Sequence, residues 1–162
     1  NNTLIFRMES EIPPVVPIHL KIEINCKEHF NVLPMQKIPF SVSNKWYKGE
    51  CDVLTYQLDE LVGTKLRALY QRRKGRDLYD LYKALTTKEL NIVNVLKCYN
   101  LYMDFVVDHI PTYKEFIINM EDKMQDEEFL GDTKQLLRPD EHFNPQEGYK
   151  VVKTALIDRL QK

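Results

Sequence analysis

Glycine is scarce in this chain: five residues in 162, at positions 49, 63, 75, 131 and 148, each isolated. Neither the phosphate-cradling P-loop nor the dinucleotide-binding glycine turn can be written with that supply, so both modes of nucleotide binding are excluded. Cysteine is scarce too. Cys26, Cys51 and Cys98 are odd in number, far apart and not in a Cys-x-x-Cys pair, which points to free thiols in a reducing compartment rather than a disulfide framework or a zinc site. A Cys26 to Cys51 bridge finds no support. Nowhere does an apolar run reach the roughly 18 to 20 residues that span a bilayer, and the early Arg7, Glu9 and Glu11 leave no room for a signal-peptide core. A cytoplasmic protein without membrane contact is expected. Net charge is also nearly absent, with 23 basic against 24 acidic residues, so any site for a polyanion has to be local.

What remains is an ordinary soluble composition, 43% hydrophobic and 29% charged, with enough chain for about one domain's core. Thr3 to Met8 is rich in strand formers, and after Pro13, Pro14 and Pro17 a strict alternation follows. Ile18, Leu20, Ile22 and Ile24 point one way and His19, Lys21, Glu23 and Asn25 the other, because successive strand side chains alternate faces. The first set is expected to be core. Residues 31 to 50, with Pro34, Pro39, Asn44 and Gly49, read as a connection containing a short strand near Ile38 to Val42, and Val53 to Tyr56 as a last strand.

Beyond Thr55 the period changes from two to 3.6. Leu58, Leu61, Val62, Leu66, Leu69 and Tyr70 form one helical stripe, with Thr55 as the expected N-cap and Lys74-Gly75 as a left-handed stop. Leu78, Leu81, Tyr82 and Leu85 repeat the pattern in a second helix. Residues 87–105 and 112–129 read as further helices separated by Pro111, and Asn144-Pro145 opens a last one reaching about Leu160. Strands first and helices afterwards give an α+β layout.

Three constellations could carry chemistry. Lys21-Ile-Glu23 places a cation and a carboxylate on the wet face of a strand, where a rigid sheet can hold a base or a metal ligand, although a loosely paired solvated face is the plainer reading. Lys65 to Arg76 holds six cations and no acid, a local cluster suited to phosphates. Arg72, Arg73 and Lys74 also suit a helix C-terminus. Lys65 lies earlier, near the stripe, and the mid-helix Gly63 implies close packing against another backbone. Arg76-Asp77 with Asp80 puts two acids three apart on one helix surface, and Asp77 could equally cap the second helix. The acidic run from Glu121 to Glu128 reads as a solvated face or a surface for a basic partner. His19, His29, His109 and His142 share no spacing with a nucleophile.

Two of these blocks, Leu20-Lys-Ile-Glu-Ile-Asn25 and the stretch Glu60 to Tyr82 with its E-L-x-x-x-K-L-x-A-L and R-D-x-x-D-L runs, resemble the AbiEii/AbiGii toxin family of nucleotidyltransferases. The resemblance implies that residues 1–56 are the C-terminal part of a nucleotidyltransferase-fold sheet and 57–162 a helical domain. It implies transfer of a nucleotide from an NTP to an RNA acceptor, tRNA being one such acceptor, with Mg²⁺ and with an antitoxin encoded nearby. By the same resemblance Glu23 is a catalytic carboxylate and metal ligand and Lys21 a phosphate clamp on the active-site strand. Lys65 and Asp77 are catalytic on the helical wall, and Arg73, Arg76 and Asp80 bind nucleotide or RNA. The family's Gly-Ser and Asp-x-Asp motifs do not occur in this sequence, so residues 1–162 are expected to be an incomplete, inactive portion. The alternative is a non-catalytic helical module that binds RNA or protein.

Overall fold

The computed structural model describes residues 2–24, 26, 29–107, 109–134 and 136–160. Its contacts separate two compact units, residues 1–31 and 32–162. The first is an antiparallel hairpin of β1 (Asn2–Glu9) and β2 (Pro17–Ile24). The register pairs Leu4 with Ile22, Phe6 with Leu20 and Met8 with Ile18, and, between them, Thr3 with Glu23, Ile5 with Lys21 and Arg7 with His19. Directly opposed residues share a face, so the alternation read from the sequence sorts the side chains as expected, with Asn25 outside the described residues. Burial does not follow. Ile18, Leu20, Ile22 and Ile24 are 42 to 51% exposed, because a two-stranded hairpin supplies one apolar face and no second layer of its own to cover it. Ser10 closes the connection: its Oγ accepts from the Val16 N–H at 2.9 Å, and its own N–H donates to the Val16 carbonyl at 3.0 Å.

The second unit begins with another antiparallel hairpin, β3 (Gln36–Ser43) and β4 (Lys48–Thr55), longer at both strands than the proline content suggests. Helices follow: α1 (Leu58–Gln71), α2 (Gly75–Thr87), α3 (Ile92–Val106), α4 (Tyr113–Lys123), α5 (Glu127–Gly131) and α6 (Pro145–Ala155), then a 3-10 turn at Ile157–Arg159. The chain is thus α+β. None of these helices is long and apolar enough to cross a membrane. Leu66 and Leu69 of α1, Leu78 and Leu81 of α2, Tyr99 and Met103 of α3, Phe116 and Met120 of α4 and Val152 of α6 are fully buried together, each contributing about 1.5 to 3 kcal/mol of hydrophobic stabilisation.

Local details correct the sequence reading at several places, among them the expected helix over 87–105, which starts only at Ile92, where Asn91 caps it. α1 is capped by Gln57 without a side-chain bond, since β4 runs through Thr55; the Gln57 amide instead donates to the Pro34 carbonyl at 3.0 Å. Gly75 is not in the left-handed region and opens α2 rather than stopping α1. A Cβ there would lie 2.0 Å from the Phe129 carbonyl oxygen, so its role is to let α2 start against the backbone of α5. The expected single helix over 112–129 is two, because Asp126 caps α5 by accepting from the N–H groups of Glu128 and Phe129. Gly63 fits the close-packing expectation: a Cβ would meet the Val95 carbonyl oxygen at 2.7 Å and Cys98 Cβ at 2.8 Å, which fixes how near α1 and α3 approach. Thr112 and Glu115 form a capping box on α4, and Asn144 caps α6 with Pro145 at its start. The three cysteines are free thiols.

Candidate functional site

The densest charge geometry lies where α1 gives way to α2. Asp77, the third residue of α2, is fully buried. Its carboxylate accepts two parallel bonds from the Arg72 guanidinium, Nε at 2.6 Å and Nη2 at 2.7 Å, and a third from Lys65 Nζ at 3.3 Å. A bidentate arginine fork of this kind is both strong and directional. Asp77 is therefore not the N-cap of α2, a position taken by Lys74 without a side-chain bond. Lys65 also reaches Asp80 at 2.8 Å, and its side chain keeps 31% exposure against 49% for Arg72 and 46% for Asp80. The structure thus brings Lys65, Asp77 and Asp80 together, and adds Arg72, a member of the Lys65 to Arg76 cluster that also suits a helix C-terminus. No basic residue falls in the last turn of α1; Arg72 is the residue after it. The arginine proton is held more firmly than usual, chiefly by its hydrogen bond to Asp77.

The neighbouring cations are also paired. Arg73 binds Asp126 at 2.8 Å and Asp122, and Lys74 approaches Glu128 at 3.5 Å. The acidic run read as a solvated face therefore has its basic partner within the same unit. Those bonds lower the Asp126 carboxyl, first through Arg73. Arg76 is exposed, its N–H donates to Asp132 Oδ2 at 3.0 Å, and its guanidinium makes no ion pair among the described residues. Beneath this surface Lys123 is almost wholly buried. Its ammonium donates to the Leu69 carbonyl and, at 2.8 Å, to that of Tyr70, two of the carbonyls left open at the end of α1. Burial pushes its pKa down to about 8, and the nearby Arg73 adds to the shift.

Two further residues escaped the sequence reading. Glu60, in the first turn of α1, is fully buried and accepts from the N–H groups of Val32 and Leu33 and from the Tyr102 hydroxyl, all at 2.8 Å. It ties the segment before β3 to α1 and α3. Glu141 accepts from the Tyr79 hydroxyl at 2.6 Å and from Lys83, which holds a loop against α2. Neither had a local signal: Glu60 lies on the helix face opposite the α1 stripe, where a solvated acid is the natural reading, and Glu141 lies in a loop.

In the first unit, Lys21 Nζ and Glu23 Oε1 are 2.8 Å apart with both side chains more than half exposed. Mg²⁺ is the ion implied by the resemblance, with Glu23 as ligand. The donors described do not fit it. Among the described residues no three His, Cys, Asp or Glu side chains gather as a ligand set, and Glu23 is engaged by Lys21.

Comparison with protein families matches residues 1–155 to the model described as nucleotidyl transferase AbiEii toxin, type IV TA system. No curated protein and no solved structure matches. The match spans the blocks containing Lys21, Glu23, Lys65, Arg73, Arg76, Asp77 and Asp80.

Proposed function

This chain belongs to the AbiEii family of nucleotidyl transferase toxins, and from that premise we propose that it serves transfer of a nucleotide from an NTP to an RNA acceptor, with tRNA as one candidate and an antitoxin as protein partner. In such a transfer the acceptor hydroxyl oxygen bonds to the α-phosphorus, the bond from that phosphorus to the pyrophosphate oxygen breaks, and pyrophosphate leaves with the negative charge. The observation that carries the reading is the shared anchoring of Lys65 and Arg72 on the buried Asp77 while both side chains remain partly exposed. That arrangement orients two cations without hiding them, as a phosphate clamp requires.

Asp77 in this reading is a positioning residue. Asp80, half exposed, is the partner that Lys65 can give up when a triphosphate arrives. Arg76 meets the acceptor backbone directly. Arg73 reaches it only by leaving Asp122 and Asp126. For Lys21 and Glu23, which lie on β2 in the first unit, the roles of phosphate clamp and base are those the resemblance implies. We take residues 1–162 alone to be inactive, because Gly-Ser and Asp-x-Asp are missing from the sequence and, among the described residues, no ligand set gathers around Glu23.

A second reading, a helical module that binds RNA or protein without transfer, is favoured by one observation: Glu23, the carboxylate that would serve as base, is already ion-paired with Lys21 at 2.8 Å. Calorimetric titration with an NTP separates the two. The transferase reading expects saturable binding that Lys65→Ser weakens about tenfold, the loss of one charge-assisted contact. No binding, or binding that the variant leaves unchanged, overturns it. Transfer of label from an NTP to RNA by residues 1–162 alone would overturn the inactivity.

A further inference from the structure

The turn from β3 to β4 reads Asn44-Lys45-Trp46-Tyr47 and continues into Lys48-Gly49 at the start of β4, with the chain's one tryptophan and no acid in these six residues. Trp46 is 76% and Tyr47 65% exposed, yet their backbone is held firmly. Asn44 Oδ1 accepts from the N–H groups of both Trp46 and Tyr47 at 2.9 Å, and the Asn44 N–H donates to the Tyr47 carbonyl at 2.9 Å, so the asparagine side chain builds the turn. Gly49 makes room for the tyrosine: a Cβ there would lie 2.4 Å from the Tyr47 hydroxyl oxygen. Lys45 Nζ stands 4.0 Å from the Trp46 ring centroid, a cation–π contact that fixes the indole. Two flat rings are thus presented to water at the end of a rigid hairpin, with a cation on either side of the pair.

We propose that this tip is a stacking site for unpaired bases of a single-stranded RNA, with Lys45 and Lys48 meeting the phosphates between them. A single strand alternates flat bases with negative phosphates, and the tip offers flat rings between positive charges. Stacking needs no particular base, since every base has a π-face. Because the turn is fixed before binding, little ordering entropy is lost on contact. An acidic polypeptide would also be drawn to the lysines, but it offers no regular partner for the rings. The inference rests on the RNA-acceptor reading and deepens it by locating where the acceptor is held.

With one tryptophan, emission from the full 162-residue chain reports on this site alone. Titration with a short single-stranded RNA should quench Trp46, whereas the same ribose-phosphate chain without bases should not. Trp46→Ala, read by anisotropy of labelled RNA, should weaken binding about tenfold. Lys45→Ser with Lys48→Ser should reduce the slope of log affinity against log salt by about 1.4, the value for two phosphate contacts on a single strand. Binding that Trp46→Ala leaves unchanged, equal quenching by the base-free chain, or quenching by polyglutamate and not by RNA would each overturn the stacking site. The wild-type isotherm judges the RNA-acceptor reading by itself. If the wild type binds RNA and the variants bind equally well, the tip falls and the acceptor reading stands; if the wild type binds no RNA, both fall.

Discussion

Two regions of the second unit treat polar groups in opposite ways. At the α1–α2 junction and along α1, the buried carboxylates Asp77 and Glu60 each accept three hydrogen bonds, and Lys123 is buried on two carbonyls. At the β3–β4 tip, Lys48 makes no ion pair among the described residues and Lys45 only leans on an exposed ring. A charge inside a protein is tolerated only when its partners are complete, so the first region is specified by what it must satisfy. The second carries its charges and rings where a ligand can take them. Stability should therefore respond to changes in the first region and RNA binding to changes in the second.

Glu60→Ala is the strongest way to test that contrast. It leaves the N–H groups of Val32 and Leu33 and the Tyr102 hydroxyl without their shared acceptor, and should cost about 3 to 5 kcal/mol in urea unfolding. Tyr102→Phe removes only one of the three bonds and should cost about 1 to 2 kcal/mol. If Glu60→Ala unfolds at the wild-type midpoint, the buried carboxylate does not organise this unit.

Lys123 provides a pH signature. Its amine titrates near 8 in the folded chain and near its ordinary 10.5 when unfolded. Below pH 8 both states hold the proton, and the folded state bears the full cost of burying the charge. Between 8 and 10.5 the unfolded chain binds more protons than the folded one, so this group makes stability rise with pH. The difference between wild type and Lys123→Met should thus move in favour of wild type over that window, by on the order of 2 to 3 kcal/mol. Parallel stability curves for the two proteins would show that the lysine is not held as a buried charge.

Gly63→Ala should come next, at about 1 to 3 kcal/mol by thermal melting. The new methyl would meet backbone, the Val95 carbonyl oxygen, at 2.7 Å, and α3 can yield only by moving as a unit. A neutral or stabilising result would mean that the α1–α3 approach is looser than the 2.7 Å contact implies.

Gly63 also marks how far the sequence was legible. A glycine in the middle of an apolar stripe has few explanations, and close packing was the right one. The alternation from Ile18 to Ile24, the stripes of α1 and α2 and the Asn144-Pro145 start were readable because each is a local pattern with a fixed period or cap. Burial of the β2 face was not readable, since it depends on whether a second layer exists. Gly75 misled because a glycine after a helix fits both a left-handed stop and a close approach, and only Phe129, more than fifty residues on, decides between them. Of the candidate site, the Lys65, Asp77 and Asp80 grouping follows from helical spacing plus one short turn. The depth of Asp77, its Arg72 fork and the Arg73 pairing with Asp122 and Asp126 belong to tertiary structure. Tyr47 over Gly49 lay between these extremes, two residues apart yet invisible until the turn was built.

The smallest expected effect sharpens the contrast most. Arg73 pairs with Asp122 and Asp126 on the outside of the unit, its side chain 48% exposed. Exposed ion pairs contribute about 0 to 1 kcal/mol, because water screens the attraction and ordering two side chains costs entropy. Arg73→Ala should therefore leave the urea midpoint close to that of the wild type, in contrast to Glu60→Ala. If Arg73 instead serves the acceptor, the variant should lose RNA affinity while keeping that stability, and Asp122→Asn should raise affinity by freeing the guanidinium. A large stability loss in Arg73→Ala would place this arginine with the buried, fully partnered groups, and the line drawn between the two regions would then have to move outward to include it.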